Sequence, residues 1–249
     1  MCVCIFKKAG KQLPSEQILS DCWLANPDGA GFCYPENGKI RIKKGFMTFE
    51  EFLSALEKVK NIKEKPFLIH FRIATHGGIS PQNCHPFPVS ENENELKAID
   101  FCCKNAFVHN GILPFRPRKE SLSDSQEFSM LLARACKPFE GDSVSRLLHP
   151  LLTSNRVAFM DSAGTVNLCG QWEKYKGYHF SNLNFSWEKW TNAPENGYFS
   201  TKCNCDNDFY SDSERQAIYD LYEDEKLKNP NLSYNDFLNN YLVNHDYNY

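Results

Sequence analysis

The segment ANPDGAGFCYPENGKIRIKK, residues 25–44, places the strongest constraint on the fold. It joins two turn signals, Pro-Asp-Gly and Glu-Asn-Gly, to two short stretches with strand character. The second stretch, KIRIKK, alternates apolar and basic side chains, as a strand with one exposed face does. The segment therefore predicts an antiparallel β-hairpin that reverses at the Asn-Gly step.

Further strands and helices follow this hairpin pattern along the chain. MCVCIF, PFLIHF and NAFVHN are predicted to be buried strands, and RVAFMDSAGTVNLCGQW with GYHFSN predicts a late β-meander. Helices are predicted behind Thr48 as an N-cap and behind a capping box formed by Ser123 and Gln126. Hairpins interleaved with helices favour an α+β fold with stacked sheets over a doubly wound parallel sheet.

Composition limits the classes of function. The 249 residues carry 28 basic and 31 acidic side chains, a net charge of −3, and 41% of the residues are hydrophobic. Such a balance predicts a globular protein without long-range attraction to nucleic acid or to anionic lipid. We therefore expect a small-molecule substrate, with no nucleic acid or membrane among the partners.

The cysteine content and the first residues bear on location. No stretch is apolar for long enough to cross a membrane, and MCVCIFKK turns basic after six residues, unlike a signal peptide. We expect a cytoplasmic, reducing environment in which most of the 11 cysteines are free thiols. Cys203 and Cys205 form a lone C-x-C pair, which is a weak metal signal, so we expect no metal and no cofactor.

Two domains are predicted from a change in composition near residue 203. Residues 2–202 carry the strand and helix patterns described above, whereas residues 203–249 are polar and Asp-rich with an acidic helical face. We expect the second segment to be a helical extension that covers the core or recruits a partner.

Polar side chains stand at three strand ends, where catalytic groups are often located. Cys2 begins the first strand, Arg72 follows PFLIHF, and Asn110 with Gly111 follows NAFVH. If these strands are neighbours, their polar ends lie around one pocket.

Cys2 combines two reactive groups once Met1 has been removed. Its thiol, with an ordinary pKa near 8.5, would lie beside a free α-amino group with a pKa of about 7.7–8.0, so the amine can exchange a proton with the thiol. Asn110 offers an amide donor and Gly111 an unhindered backbone N–H for an oxyanion. Arg72 can bind a substrate carboxylate and Asp124 a substrate ammonium group.

Each of these residues also has a simpler interpretation. Cys2 could be a core residue, Asn110-Gly111 a hairpin turn, Arg72 a surface cation and Asp124 a favourable charge at a helix start. Four histidines could suggest a metal site, although two of them lie within apolar strands where a buried histidine is common. They are His70, His76, His85 and His109.

The ordered motifs resemble the class II glutamine amidotransferase domain, a member of the N-terminal-nucleophile (Ntn) hydrolases. They are Cys2, NPDGAGF, HFRIATHG, NCHPF, FVHNG and SDSQEF, with GQWEKYKGYHFSN resembling the late strands. The likeness spans roughly residues 2–185 and is greatest to short, stand-alone members.

The resemblance implies a four-layer αββα sandwich, removal of Met1, and Cys2 as a nucleophile toward a γ-carboxamide. It implies that Asn110 and Gly111 hold the oxyanion, and that Arg72 and Asp124 bind the substrate carboxylate and amine. It further implies that substrate contacts come from Ile73, Thr75, His76, Gly77 and His85.

Two positions depart from the family pattern, since Val3 replaces a glycine and Ile73 stands where the large synthases carry Trp. We expect a glutaminase-type amidohydrolase that releases ammonia or an amine, with a partner protein or second substrate as a possible ammonia acceptor, because no synthase domain follows. Two alternatives stay open: an Ntn-type hydrolase of another amide, and a non-catalytic protein that uses the same scaffold for binding.

Overall fold

The computed structural model has an α+β architecture with two antiparallel sheets. The chain begins with a strand, and helices lie between later strands, as the interleaved pattern of the sequence predicted. The structure describes residues 1–74, 78–113, 117–119, 122–136, 138–149, 155–186, 221–222, 224–229, 232 and 237.

Within the described residues the larger sheet has seven strands, among which the first strand and the strand before Arg72 are neighbours. In chain order the strands are β1 (Val3–Lys7), β2 (Ala30–Glu36), β3 (Lys39–Phe46), β4 (Phe67–Phe71), β6 (Asp100–Cys103), β10 (Glu173–Tyr175) and β11 (Tyr178–Phe180). Their spatial order is β10-β11-β1-β4-β2-β3-β6. The strand that follows Cys2 therefore lies inside the sheet, between β11 and β4.

The smaller sheet has four strands and carries the Asn-Gly step at residues 110 and 111. Its members are β5 (Phe87–Pro88), β7 (Asn105–Asn110), β8 (Arg156–Asp161) and β9 (Val166–Cys169), in the spatial order β5-β7-β8-β9. The pair β8 and β9 is the late hairpin that the sequence predicted, with its turn at residues 162–165.

The described residues contain five α-helices of five or more residues between Glu16 and Leu148, together with a 3₁₀ turn at Pro81–Asn83. They are α1 (Glu16–Leu24), α2 (Phe49–Glu57), α3 (Glu93–Lys97), α4 (Asp124–Ala135) and α5 (Gly141–Leu148). Both predicted caps are confirmed. The Thr48 side chain accepts a hydrogen bond from the backbone N–H of Glu51, and Ser123 and Gln126 form the reciprocal capping box.

The predicted hairpin is also confirmed, because β2 and β3 pair in antiparallel register. Asn37 and Gly38 connect them with φ angles of 50° and 72°. Positive φ at both central residues is the backbone geometry of a type I′ turn, whose twist matches that of the flanking strands. Asn and Gly adopt it at low cost, which explains why this dipeptide signals the reversal.

Apolar side chains form three separate core clusters. The first joins α1 and α2 to one face of the larger sheet and includes Trp23, Phe52 and Phe71. The second takes side chains from both sheets, such as Leu68 and Val108. The third joins the smaller sheet to α4 and α5 and includes Phe107, Phe128, Val144 and Phe159.

Part of the C-terminal segment packs into the protein. Residues 221–222 and 224–228 are helical, and Tyr222 and Phe237 are both buried, with their ring centroids 5.6 Å apart. The predicted Cys203 and Cys205 pair lies outside the described residues, as does the proposed boundary near residue 203. The division into two domains therefore stays a prediction.

We expect substitution of a buried leucine to lower the free energy of unfolding much more than substitution of an exposed one. Leu56 on α2 is 0% exposed and Leu147 on α5 is 63% exposed. Leu56→Ala should lower the free energy of unfolding by about 2–5 kcal/mol, because it removes buried methyl groups and leaves a cavity. Leu147→Ala, the matched control, should change it by less than about 0.5 kcal/mol. Denaturant unfolding of both variants measures the difference, and equal losses would contradict the assigned packing.

Candidate active site

Pairing between β1 and β4 places Cys2 beside the residues that follow Phe71. The two strands are antiparallel with Val3 opposite Phe71, so the residue before β1 lies next to the residues after β4. The Cys2 Sγ is 3.4 Å from both the backbone N and the backbone O of Ile73. Two of the three polar strand ends therefore meet.

Ser181 joins the third strand end to this pair. Its backbone N donates to the Cys4 carbonyl over 2.9 Å, which extends the β1–β11 pairing by one step. Its hydroxyl oxygen lies 2.8 Å from the Cys4 backbone N and 3.1 Å from Asn110 Nδ2. The end of β7 in the smaller sheet is thus linked to the start of β1 in the larger sheet.

A cavity of about 50 Å³ lies where these strand ends meet. Six of the residues proposed from the sequence line it: Cys2, Arg72, Ile73, His85, Gly111 and Asp124. The remaining described lining residues were not proposed as site residues from the sequence: Asn83, His109, Ile112, Ser123 and Ser125. A thiol, a guanidinium group, a carboxylate and a glycine therefore line one cavity.

The Cys2 thiol is in an environment with opposing electrostatic effects. Burial raises the pKa of the thiol, because a thiolate loses hydration inside the protein. The Ile73 backbone N–H, the positive chain terminus and the Arg72 guanidinium act in the opposite direction. The Met1 side chain is 62% exposed, so the bond that precedes Cys2 lies beside an accessible residue.

Arg72 is buried, which excludes its interpretation as a surface cation. Its side chain is 6% exposed, and Nη2 donates to the Gly78 carbonyl over 2.9 Å. Its backbone N donates to the Gly29 carbonyl, and its carbonyl accepts from the backbone N–H of Asp28. A guanidinium held in this way beside a cavity is suited to binding a carboxylate.

Asp124 is the first residue of α4, and its carboxylate is oriented by neighbouring donors. Oδ1 accepts from the Ser125 backbone N over 2.7 Å, and Oδ2 accepts from the Leu113 backbone N over 3.3 Å. The helix N-terminus further favours a negative charge at this position. These contacts fix the carboxylate at the cavity wall.

Asn110 and Gly111 differ in their access to the cavity. Gly111 lines it with φ at 136°, and an added Cβ would lie 2.2 Å from Asn155 Oδ1, so only glycine fits here. Asn110 is 2% exposed and is not among the lining residues. The next described element along the chain is helix α4, so the interpretation of this Asn-Gly pair as a hairpin turn is wrong.

His109 connects the cavity wall to Asn155. Its Nε2 is 2.7 Å from Asn155 Oδ1, and its Nδ1 is 3.2 Å from the Ser125 hydroxyl. Burial lowers the pKa of His109, which favours the neutral ring. When Asn155 Oδ1 accepts a hydrogen bond from His109 Nε2–H, His109 Nδ1 can accept one from the Ser125 hydroxyl. This contact helps to position Ser125 beside Asp124.

His70 and His85 form a buried pair behind the cavity. Their ring centroids are 4.4 Å apart, and the His85 ring stands edge-on to Phe87. Neither ring nitrogen of His85 has a hydrogen-bond partner among the described residues. Burial lowers the pKa of His85 well below its usual value and that of His70 to about 3, so both rings are neutral. The described residues contain no group of three or more His, Cys, Asp or Glu side chains arranged to hold a metal ion.

Three proposed substrate-contact residues, Thr75, His76 and Gly77, lie outside the described residues. The flanking residues are described and contact the site, since Ala74 bonds to Asp28 and Gly78 bonds to Arg72. Each cysteine in the described part of the chain is a free thiol. In the same part, no helix combines the length and the apolar character needed to cross a membrane.

Sequence reasoning did not assign a role to Ser125, Asn155 or Asp28. Asp28 lies inside the quoted NPDGAGF motif, and Ser125 lies inside SDSQEF, so motif membership was the available signal. Asn155 had no such signal, because its contact with His109 spans 46 residues and depends on tertiary structure.

The chain matches no model of a protein family, and a search of the curated proteins finds no match either. The resemblance to class II glutamine amidotransferases therefore depends on the motifs quoted above.

We expect acid to destabilise the fold through the buried histidines. The unfolded chain binds a proton at His70 below about pH 6.5, whereas the folded protein does so only near pH 3. The free energy of unfolding should therefore fall by up to about 1.4 kcal/mol per pH unit for this residue as the pH drops from 6.5 toward 3.

His70→Phe should flatten this dependence, measured by denaturant unfolding between pH 7 and pH 4.5. The control is His149→Phe, since His149 is exposed. An unchanged slope in His70→Phe would contradict the assignment of a buried neutral ring.

Proposed function

We propose that the protein is an N-terminal-nucleophile amidohydrolase of the glutamine amidotransferase type, with glutamine or a γ-glutamyl compound as substrate. The observation that carries the proposal is the shared cavity of Cys2, Arg72, Gly111 and Asp124. These residues come from four separate parts of the chain and supply a nucleophile, an oxyanion donor and binding groups for both charges of an α-amino acid.

The arrangement of the core supports a four-layer αββα sandwich for this protein. One cluster lies between α1, α2 and the larger sheet, a second contains side chains of both sheets, and a third lies between the smaller sheet and α4 with α5. In that arrangement the cavity opens where the two central sheets meet, at the start of β1 and the end of β7.

In the first half-reaction the Cys2 thiolate attacks the carbon of the γ-carboxamide and forms a C–S bond. The α-amino group, free after Met1 removal, takes the thiol proton and delivers it to the departing nitrogen. The C–N bond breaks, ammonia or an amine leaves, and a thioester remains. Water then attacks the thioester, which releases the carboxylic acid and returns the proton to the thiol.

Gly111 and Asn110 are the proposed donors to the tetrahedral oxyanion. The Asn110 side chain contacts the Ser181 hydroxyl, and its Oδ1 is buried without a hydrogen-bond partner among the described residues. A 180° rotation of this amide exchanges its oxygen and nitrogen, so that Ser181 donates to Oδ1 and both amide N–H bonds become available. A buried donor of this kind gains its partner when the oxyanion forms.

The α-carboxylate and the α-ammonium group of the substrate are proposed to bind residues of opposite charge in the cavity wall. Arg72 is proposed to bind the α-carboxylate, and Asp124 the α-ammonium group. Ile73 supplies a buried apolar side chain and, through its backbone, the N–H that contacts the thiol. His85 is proposed to shape the wall behind the substrate, with Thr75, His76 and Gly77 completing it.

We expect Cys2 to be the residue that reacts covalently. The purified protein should already lack Met1, and incubation with 6-diazo-5-oxonorleucine, a glutamine-like electrophile, should add one adduct on Cys2, as read by intact mass and peptide mapping. Cys2→Ala should abolish amide hydrolysis and the adduct. Cys102→Ala, which changes an exposed cysteine, should retain both. Retained Met1 with no adduct at Cys2 would refute the proposed function.

We expect Asp124 to distinguish substrates by their α-amino group. Asp124→Asn should lower kcat/KM for glutamine about 30- to 150-fold, since a charge-assisted contact of 2–3 kcal/mol is lost. The comparison substrate is glutaramate (5-amino-5-oxopentanoate), which keeps the γ-carboxamide of glutamine and lacks its α-amino group. For this substrate the same substitution should change kcat/KM by less than about threefold. Equal losses with both substrates would show that Asp124 does not bind the amine.

A further inference from the structure

We propose that Asp28 and Tyr222 are positioning residues through which the C-terminal segment holds residues 72–74 against Cys2. The proposal deepens the proposed function, on which it rests, and gives part of the predicted extension a role in the site. It is drawn from a series of hydrogen bonds that runs from Tyr222 through Asp28 to Arg72 and Ala74, the two neighbours of the residue that contacts the thiol.

Tyr222 enters the protein core from a distant part of the sequence. Its side chain is 0% exposed, packs against the ring of Phe237, and places its hydroxyl 3.0 Å from Asp28 Oδ1. The same hydroxyl is 3.3 Å from the Leu232 carbonyl. A hydroxyl proton buried between two acceptors favours the shorter contact, which is to the carboxylate.

Asp28 in turn holds the end of β4 at two points. Its backbone N donates to the Arg72 carbonyl over 3.0 Å, and its Oδ2 accepts from the Ala74 backbone N over 2.8 Å. Gly29 adds a third contact by accepting from the Arg72 backbone N over 2.8 Å. Residue 73, between these anchored neighbours, is the one whose backbone N and O contact the Cys2 Sγ.

The Tyr222 hydroxyl stabilises a buried carboxylate in addition to packing in the core. Asp28 is 0% exposed, and burial raises the pKa of its carboxyl, while the Ala74 N–H, the Tyr222 hydroxyl and the positive charges of Lys226 and Arg72 lower it. A buried carboxylate that loses one of two donors is poorly satisfied, and its surroundings shift or admit water. Residues 72–74 are the segment that Asp28 contacts directly, so their position is the one that we expect to change.

Tyr222→Phe tests the proposal, because it removes one hydroxyl and keeps the buried ring. The matched control is Tyr178→Phe, since the Tyr178 hydroxyl also donates to backbone carbonyls, those of Gln12 and Leu13. In Tyr222→Phe, KM for glutamine should rise 5- to 20-fold with kcat changed less than threefold, because Arg72 is displaced as a carboxylate ligand. Tyr178→Phe should alter neither constant more than twofold.

Hydrogen exchange provides a readout that is independent of activity. The amide of Ala74 should exchange at least fivefold faster in Tyr222→Phe and in Asp28→Asn than in the unsubstituted protein, and should be unchanged in Tyr178→Phe. Asp28→Asn preserves side-chain shape and serves as the second variant. Unchanged Ala74 exchange in Tyr222→Phe would overturn the proposal, even if the protein hydrolyses glutamine.

The two hypotheses therefore fail in different ways. Absence of a Cys2 adduct and of amide hydrolysis in the unsubstituted protein overturns the proposed function, while faster Ala74 exchange would still support the contact between Tyr222 and this segment. Normal hydrolysis with an unchanged KM in Tyr222→Phe overturns the positioning role and leaves the proposed function intact.

Discussion

The antiparallel pairing of β1 with β4 is the constraint on which the rest of the site depends. Because Val3 lies opposite Phe71, the residue that precedes one strand and the residues that follow the other must be neighbours. A shift in register by one residue would turn the side chains of β1 to the opposite faces of the sheet. The alternate side chains Val3 and Ile5 belong to one core cluster and Cys4 to another, so both faces fix this register.

Local sequence signals predicted much of the fold. The Asn37-Gly38 turn, the Thr48 cap and the Ser123–Gln126 capping box each depend on residues within four positions of one another, and all three are found in the structure. The order of strands within each sheet could not be read in this way. That β11 lies beside β1, for example, depends on contacts between residues about 175 positions apart.

The sequence predicted many of the residues that line the candidate site, but few of the contacts between them. Cys2, Arg72 and Gly111 stood out because polar or flexible residues lie at the ends of apolar strands, and the structure brings them to one cavity. Asn110 was expected to face the same space, but it is buried against Ser181. The roles of Ser181, Asn155 and Tyr222 come from hydrogen bonds over 46 to 194 residues of sequence, which local patterns do not encode.

The long span between Tyr222 and Asp28 also has a consequence for biosynthesis. Ordering a loop of this length carries a large closure entropy, and structures dominated by such distant contacts form slowly. Tyr222 lies 194 residues after Asp28 in the chain, so it is translated well after Cys2, Arg72 and Asp124. In a nascent chain these groups are therefore synthesised before the contact that we propose to position them can form.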